Sequence, residues 1–106
     1  MDLYREELLG QAQECVTEMR NSRRDFREKR RGYTQLVIYY TIMARIARCQ
    51  GESSTEVDKL LEEAEQLAGS AKNNLKGNPF QHSSGLDNAE AAVSLASLAE
   101  EMLQEA

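Results

Sequence analysis

The chain has 106 residues, with 13 Lys and Arg against 18 Asp and Glu and a net charge of −5; a chain of this size forms one domain whose core closes without metal or disulfide staples. One Pro and an excess of Ala, Leu, Glu, Gln, Lys and Arg make a helix-forming composition. Two Cys without a C-x-x-C spacing, a single His and no Gly-rich phosphate loop exclude a zinc site and a P-loop enzyme, so neither metal nor cofactor is expected.

The opening, MDLYREELL, carries charges where a secretory signal has its apolar stretch, which predicts a cytoplasmic protein. From Asp2 to Asn21, Tyr4, Leu8, Ala12, Cys15 and Met19 recur at spacings of three and four, with Leu9 and Val16 beside them. That is one apolar face of an amphipathic helix. Asp2, Glu6 and Glu7 suit the positive end of its dipole.

The next stretch, NSRRDFREKRRG, holds six basic residues, Arg23, Arg24, Arg27, Lys29, Arg30 and Arg31, with Arg20 just before it. Asp25 and Glu28 dilute the run, and Ser22 with Asp25 offers a cap for a new helix. The spacing of Met19, Ser22, Phe26, Lys29 and Tyr33 nevertheless continues the first helix, so it is expected over 2–31, with Gly32 as its C-cap. Arg20, Arg23, Arg24, Arg27, Arg30 and Arg31 are the candidates for contacts to nucleic-acid phosphates. The plainer alternative is a solvated helix end with local ion pairs.

Tyr33 to Cys49, YTQLVIYYTIMARIARC, is the most apolar stretch. Tyr33, Leu36, Val37, Tyr40, Met43, Ala44 and Ala47 form one helical stripe, and Ile38, Ile42, Ile46 and Cys49 a second. A helix apolar on most of its circumference is covered on most of it, so 33–50 is the expected central helix. Its β-branched residues raise the alternative of a buried strand, but the run is too long for one. Its uncharged part ends at Arg45, short of the roughly 20 apolar residues of a membrane span. Tyr33, Tyr39, Tyr40, Arg45 and Arg48 are candidates for an interaction surface: either the rings pack in the core with hydroxyls at its margin, or they floor a polar-edged groove for a partner helix. Cys15 and Cys49 both fall at apolar positions and read as reduced core residues, with a cross-helix disulfide as the alternative.

Ser53 with Glu56 forms a capping box for a helix over 54–75, which turns Val57, Leu60, Leu61, Ala64, Leu67, Ala68, Ala71 and Leu75 inward. KGNPFQHSSG, 76–85, is the expected loop, with Phe80 packed back on the bundle and His82 exposed. Asp87 with Glu90 offers a cap for a last helix over 87–105, whose inner face is Ala89, Ala92, Leu95, Ala96, Ala99, Met102 and Leu103. The fold class that follows is all-α, an up-down antiparallel bundle of four helices in a single domain, 1–106.

Residues 32–51, GYTQLVIYYTIMARIARCQG, and the ending LDNAEAAVSLASLAEEML, 86–103, resemble the second and last helices of HEPN-type small helical domains. Nucleolytic members carry Arg and His separated by four to six residues; here Lys76 and His82 stand nearest that pattern, with Lys in place of Arg and Pro79 between them. The resemblance implies a role connected with RNA or with toxin–antitoxin pairs.

Residues 1–50 carry ten Lys and Arg against seven Asp and Glu, and 51–106 carry three against eleven. Such a split steers a charged partner or pairs two copies head to tail. The leading expectation is a non-enzymatic protein-interaction module that associates with itself, with no catalytic residues. The alternatives are an RNA- or DNA-binding protein and a HEPN-like ribonuclease.

Overall fold

The computed structural model describes residues 2–49 and 54–105. It holds four α-helices, α1 (Asp2–Asn21), α2 (Arg27–Arg48), α3 (Thr55–Lys76) and α4 (His82–Glu105), with one 3-10 turn at Pro79–Gln81. Among the described residues there is no strand and no helix long and apolar enough to cross a membrane.

The all-α, up-down expectation holds. α2 packs along both α1 and α4, α3 packs along α4, and α2 also touches α3. The oily segment is therefore the helix that meets all three others. Consecutive helices run antiparallel. The two inner helices, α2 and α4, run parallel, because Arg31 reaches Glu90 while Arg45 reaches Glu100. The molecule measures 44 × 24 × 17 Å.

The core follows most of the predicted stripes; Tyr4 of the first and Ile38 of the central helix's second stripe are exposed instead, at 49% and 41%. Leu8, Ala12 and Cys15 of α1 meet Tyr33, Leu36, Tyr40 and Met43 of α2. The α3–α4 seam is built from alanine: Ala64, Ala68 and Ala71 face Ala89, Ala92, Ala96 and Ala99, all buried. Small side chains at a seam let two helix axes come close.

Several local expectations are corrected, and the central helix begins at Arg27 rather than Tyr33. The first helix does not run to Arg31. It stops at Asn21, where the Ser22 hydroxyl donates to the carbonyls of Glu18 and Met19 at 2.9 and 3.0 Å. The last carbonyls of α1 are thus met locally, and a turn closed by Phe26 N–H to Arg23 O at 3.0 Å starts α2.

Gly32 is not a C-cap but an interior residue of α2, with no positive φ. The last helix starts at His82 rather than 87, directly after the 3-10 turn, so Asp87 lies inside it and caps nothing. Pro at the start of that turn supplies the φ a helical start needs.

Phe80 is 94% exposed instead of packed on the bundle, while His82 is 3% exposed instead of open to water. The tight turn sends position 80 outward and delivers position 82 into the core, where its ring meets the Phe26 ring edge-on at 5.2 Å.

Ser53 and Gly51 lie outside the described residues, as does the expected end of the central helix at Gln50. The cap of α3 is Ser54, whose hydroxyl accepts from Val57 N–H at 3.2 Å. Cys15 is buried, Cys49 is exposed, and both are free thiols, which corrects the core reading of Cys49 and sets aside the disulfide.

Candidate nucleic-acid interface

Antiparallel packing brings the end of α1, the start of α2, the end of α3 and the start of α4 to one end of the bundle. Thr34 meets Met19, Leu75 meets Gly32 and Gly85, and Phe26 meets His82. Arg20, Arg23, Arg24, Arg27, Lys29, Arg30, Arg31 and Lys76 therefore share this end, eight of the chain's 13 cations, against Glu18, Asp25, Glu28, Asp87 and Glu90. Eight minus five leaves +3 there. The remainder holds five cations and 13 carboxylates, a balance of −8. The charge split between the halves of the sequence is thus kept as a split between one end of the folded molecule and the rest.

The break at residues 22–26 is what spreads these cations. On one continuous helix Arg20, Arg23, Arg24, Arg27, Arg30 and Arg31 would line one narrow face, at i, i+3, i+4, i+7, i+10 and i+11. Here Arg23 and Arg24 stand on a turn, with Arg20 on α1 and Arg27, Arg30 and Arg31 on α2. Arg23 pairs with Asp25 at 3.6 Å and lies over the Phe26 ring at 5.5 Å. Arg31 pairs with Glu90 at 3.7 Å. Both contacts are long and exposed, so they hold their charges loosely. Among the described residues, Arg20, Arg24, Arg27 and Arg30 form no ion pair with a carboxylate.

Phe80 stands at the same end with almost its whole side chain in water. The sequence pointed to the arginines but not to Phe80. The available signal was an aromatic residue in a Gly/Pro loop with no apolar residue three or four positions away. Beside it, a shallow cavity of about 350 Å³ is lined by Asp25, Phe26, Arg27, Glu28, Pro79 and His82.

The tyrosines of the other candidate surface are core residues: Tyr33, Tyr39 and Tyr40 are 0%, 2% and 7% exposed. Tyr39 and Tyr40 still border a cavity of about 270 Å³ beside Tyr4 and Glu65, and Arg45 and Arg48 line one of about 520 Å³ with Glu100 and Leu103. Burial pushes the Tyr33 and Tyr40 hydroxyls up to about 12 and the Tyr39 hydroxyl higher still, since a buried phenolate loses its hydration. Arg45 spans α2 and α4, donating to both carboxylate oxygens of Glu100 at 2.9 and 3.1 Å. Arg48 is exposed near the far end of α2.

Lys76 and His82 are not assembled as a catalytic pair. Lys76 is exposed at the end of α3, and the His82 ring is shut under Phe26 with Nε2 buried and unpartnered. No group of three or more His, Cys, Asp or Glu is placed to hold a metal among the described residues. Compared with protein-family models, with curated proteins and with solved structures, the chain matches none of them.

Proposed function

We propose that the chain is a non-enzymatic binding module that holds single-stranded nucleic acid at its basic end. The observation that carries this reading is the pairing of eight gathered cations with the exposed Phe80 ring. Arginine and lysine clusters contact phosphates whatever the base sequence. An open aromatic ring next to them adds a platform on which a base stacks, and an unpaired strand offers its bases for this where a duplex does not. The protein-interaction reading loses its tyrosine surface to burial. The ribonuclease reading needs an accessible His82, and that ring is 3% exposed.

The test is fluorescence anisotropy with a labelled single-stranded RNA or DNA over a range of salt. Engagement of about four phosphates gives a slope of log K against log salt of about −3. Changing Arg20, Arg23, Arg24, Arg27, Arg30 and Arg31 to Glu abolishes the binding in a chain whose helical circular dichroism is unchanged. Binding that survives this reversal, or that ignores salt, defeats the proposal.

The same charge separation supports a second reading, head-to-tail association of copies through the basic end of one and the acidic body of the next. Light scattering decides it: mass that grows with concentration at low salt and falls to the monomer at high salt is the signature of such pairing.

A further inference from the structure

The His82 ring is 3% exposed, and its Nε2 is buried with no hydrogen-bond partner. An orphaned buried polar atom is rare in a folded protein and calls for an explanation. His82 is the only histidine of the chain, and histidine is the side chain that ordinarily gains a charge between pH 8 and 5.

Its cover on the side of the basic turn is the Phe26 ring, which stands edge-on at 5.2 Å and is itself only half-buried. Phe26 lies just before α2, where no side chain caps the helix. Its own N–H donates to Arg23 O at 3.0 Å, and its carbonyl accepts from Arg30 N–H at 3.1 Å.

This closed arrangement suits a neutral ring. A second proton would bury a charge whose Nε2–H has no acceptor, which is costly. His82 is the first residue of α4, so the charge would meet the positive end of that helix's dipole. Arg23 already lies over the Phe26 ring at 5.5 Å, and one phenyl ring would then separate two cations. The carboxylates suited to an imidazolium are Asp25 on the turn and Glu28 on α2. Both are exposed and line the cavity beside Phe26 together with Arg27. Neither forms an ion pair with His82 among the described residues. α1 brings Glu18 and Arg20 to this end and α3 brings Lys76, none of them in the lining of that cavity, and α4 carries no charge before Asp87.

We infer that Phe26 is an acid-released latch on His82. The neutral imidazole holds the Phe26 ring and keeps the turn at 22–26 closed. The protonated imidazole displaces that ring, pairs with Asp25 and Glu28, and opens the turn. The open form gains two carboxylate partners that the closed form withholds, and that difference lets a proton from solvent shift the balance. Arg23 and Arg24 stand on this turn, so acid repositions two of the six arginines while the helices stay packed. The inference stands on the burial of His82 and is independent of the nucleic-acid reading, because its readout is Phe26 and not binding.

The experiment is an NMR titration of the full chain from about pH 8 to about pH 5, in which the lone imidazole gives unambiguous ring signals. The Phe26 ring signals are expected to move with the same midpoint as those of His82. Exchange of the Phe26 and Arg30 amides, corrected for the intrinsic effect of pH, speeds up at least tenfold, while the Leu36 and Tyr40 amides keep their protection. With Asp25→Asn and Glu28→Gln, both exposed positions, the opening requires stronger acid. In His82→Gln the Phe26 response disappears; should that variant fail to fold, the wild-type titration and the carboxylate variant still decide. The latch is overturned if His82 titrates while Phe26 stays in place, if the imidazole charges only as helical circular dichroism is lost, if the carboxylate changes leave the opening where it was, or if a folded His82→Gln chain still shows it.

Discussion

Leu75 fills the space beside Gly32 that a side chain there would need. A Cβ built on Gly32 lies 2.6 Å from Leu75 Cδ2, and one on Gly85 lies 2.8 Å from Leu75 Cγ. Leu75 is completely buried, so it cannot swing away. This contact, between residues 43 positions apart in the chain, locks α2, α3 and α4 together beneath the basic end.

Gly32→Ala is therefore expected to destabilise the fold. Ala raises helix propensity by about 1 kcal/mol over Gly, but overpacking a closed core costs about 1–3 kcal/mol. With Leu75 unable to retreat, the second effect wins, by about 1 kcal/mol in urea denaturation. Gly10→Ala is the control. A Cβ there meets nothing within 4 Å, so the propensity gain stands alone and stability rises. Leu75→Ala costs about 2–5 kcal/mol by itself, and the double variant Gly32→Ala, Leu75→Ala costs less than the two single effects summed.

The three core tyrosines make the protein sensitive to alkali. Well below pH 10 the hydroxyls are neutral in both folded and unfolded chains. As pH rises from 10 toward 12, the unfolded chain releases phenolic protons that Tyr33, Tyr39 and Tyr40 still keep in the folded state. The folded form then binds more protons than the unfolded one, so stability falls with rising pH. Tyrosinate absorbance is expected to appear late and together with the loss of helical circular dichroism, whereas an early, separate rise from these three residues would contradict their burial.

Phe80→Ala separates binding from folding. The side chain is 94% exposed, and substitutions at such sites change stability by less than about 0.5 kcal/mol. Loss of one stacked base costs about 1–3 kcal/mol of binding, roughly a five- to hundredfold drop in affinity for the single strand. Phe80→Trp retains it. Unchanged affinity in the alanine variant would remove stacking from the proposed interface and leave only the phosphate contacts.

The two cysteines differ in reactivity. Cys49 is exposed, while Cys15 is buried with its thiol pushed up by burial. A thiol reagent at neutral pH is expected to modify one cysteine in the native protein and both in denaturant, because only an accessible thiolate reacts. Mass mapping of the first adduct to Cys15 would contradict the packing of α1 on α2.

The Arg45–Glu100 pair joins the two parallel inner helices by two hydrogen bonds, yet the Arg45 side chain is 58% exposed. Screening by water limits such a pair to about 1 kcal/mol or less. Glu100→Gln is expected to lower stability by no more than this at low salt, with the difference shrinking at high salt in paired urea titrations.

The fold class and most of the inward faces were legible in the residues. Leu8, Ala12 and Cys15, then Leu36, Tyr40 and Met43, then Ala64, Ala68 and Ala71 stand at helical spacing, and each is buried as that spacing implies. The exceptions are Tyr4 and Ile38, exposed on faces that no neighbouring helix covers, and the residues at turns. Phe26 kept the first helix's spacing, yet it is the residue just before α2 and serves as the lid over His82. The candidate site was legible as a row of arginines. Phe80 and Lys76 could not be placed beside them, because the loop that carries Phe80 gives no periodic signal and Lys76 lies 45 residues beyond Arg31.

From composition and period alone came four amphipathic helices, their inner stripes and a charge imbalance. These are local properties: a helix face is decided by residues three and four apart, and the hydrophobic effect acts on it whatever lies opposite. Tertiary packing alone decided that the basic turn and Phe80 share one end, that His82 is enclosed, and that Tyr39, off the predicted stripe, is buried as well. Those outcomes depend on pairs such as Phe26 with His82 and Gly32 with Leu75, which meet only when antiparallel helices stack. The shapes that let them meet belong to the assembled core, not to any one stretch of chain.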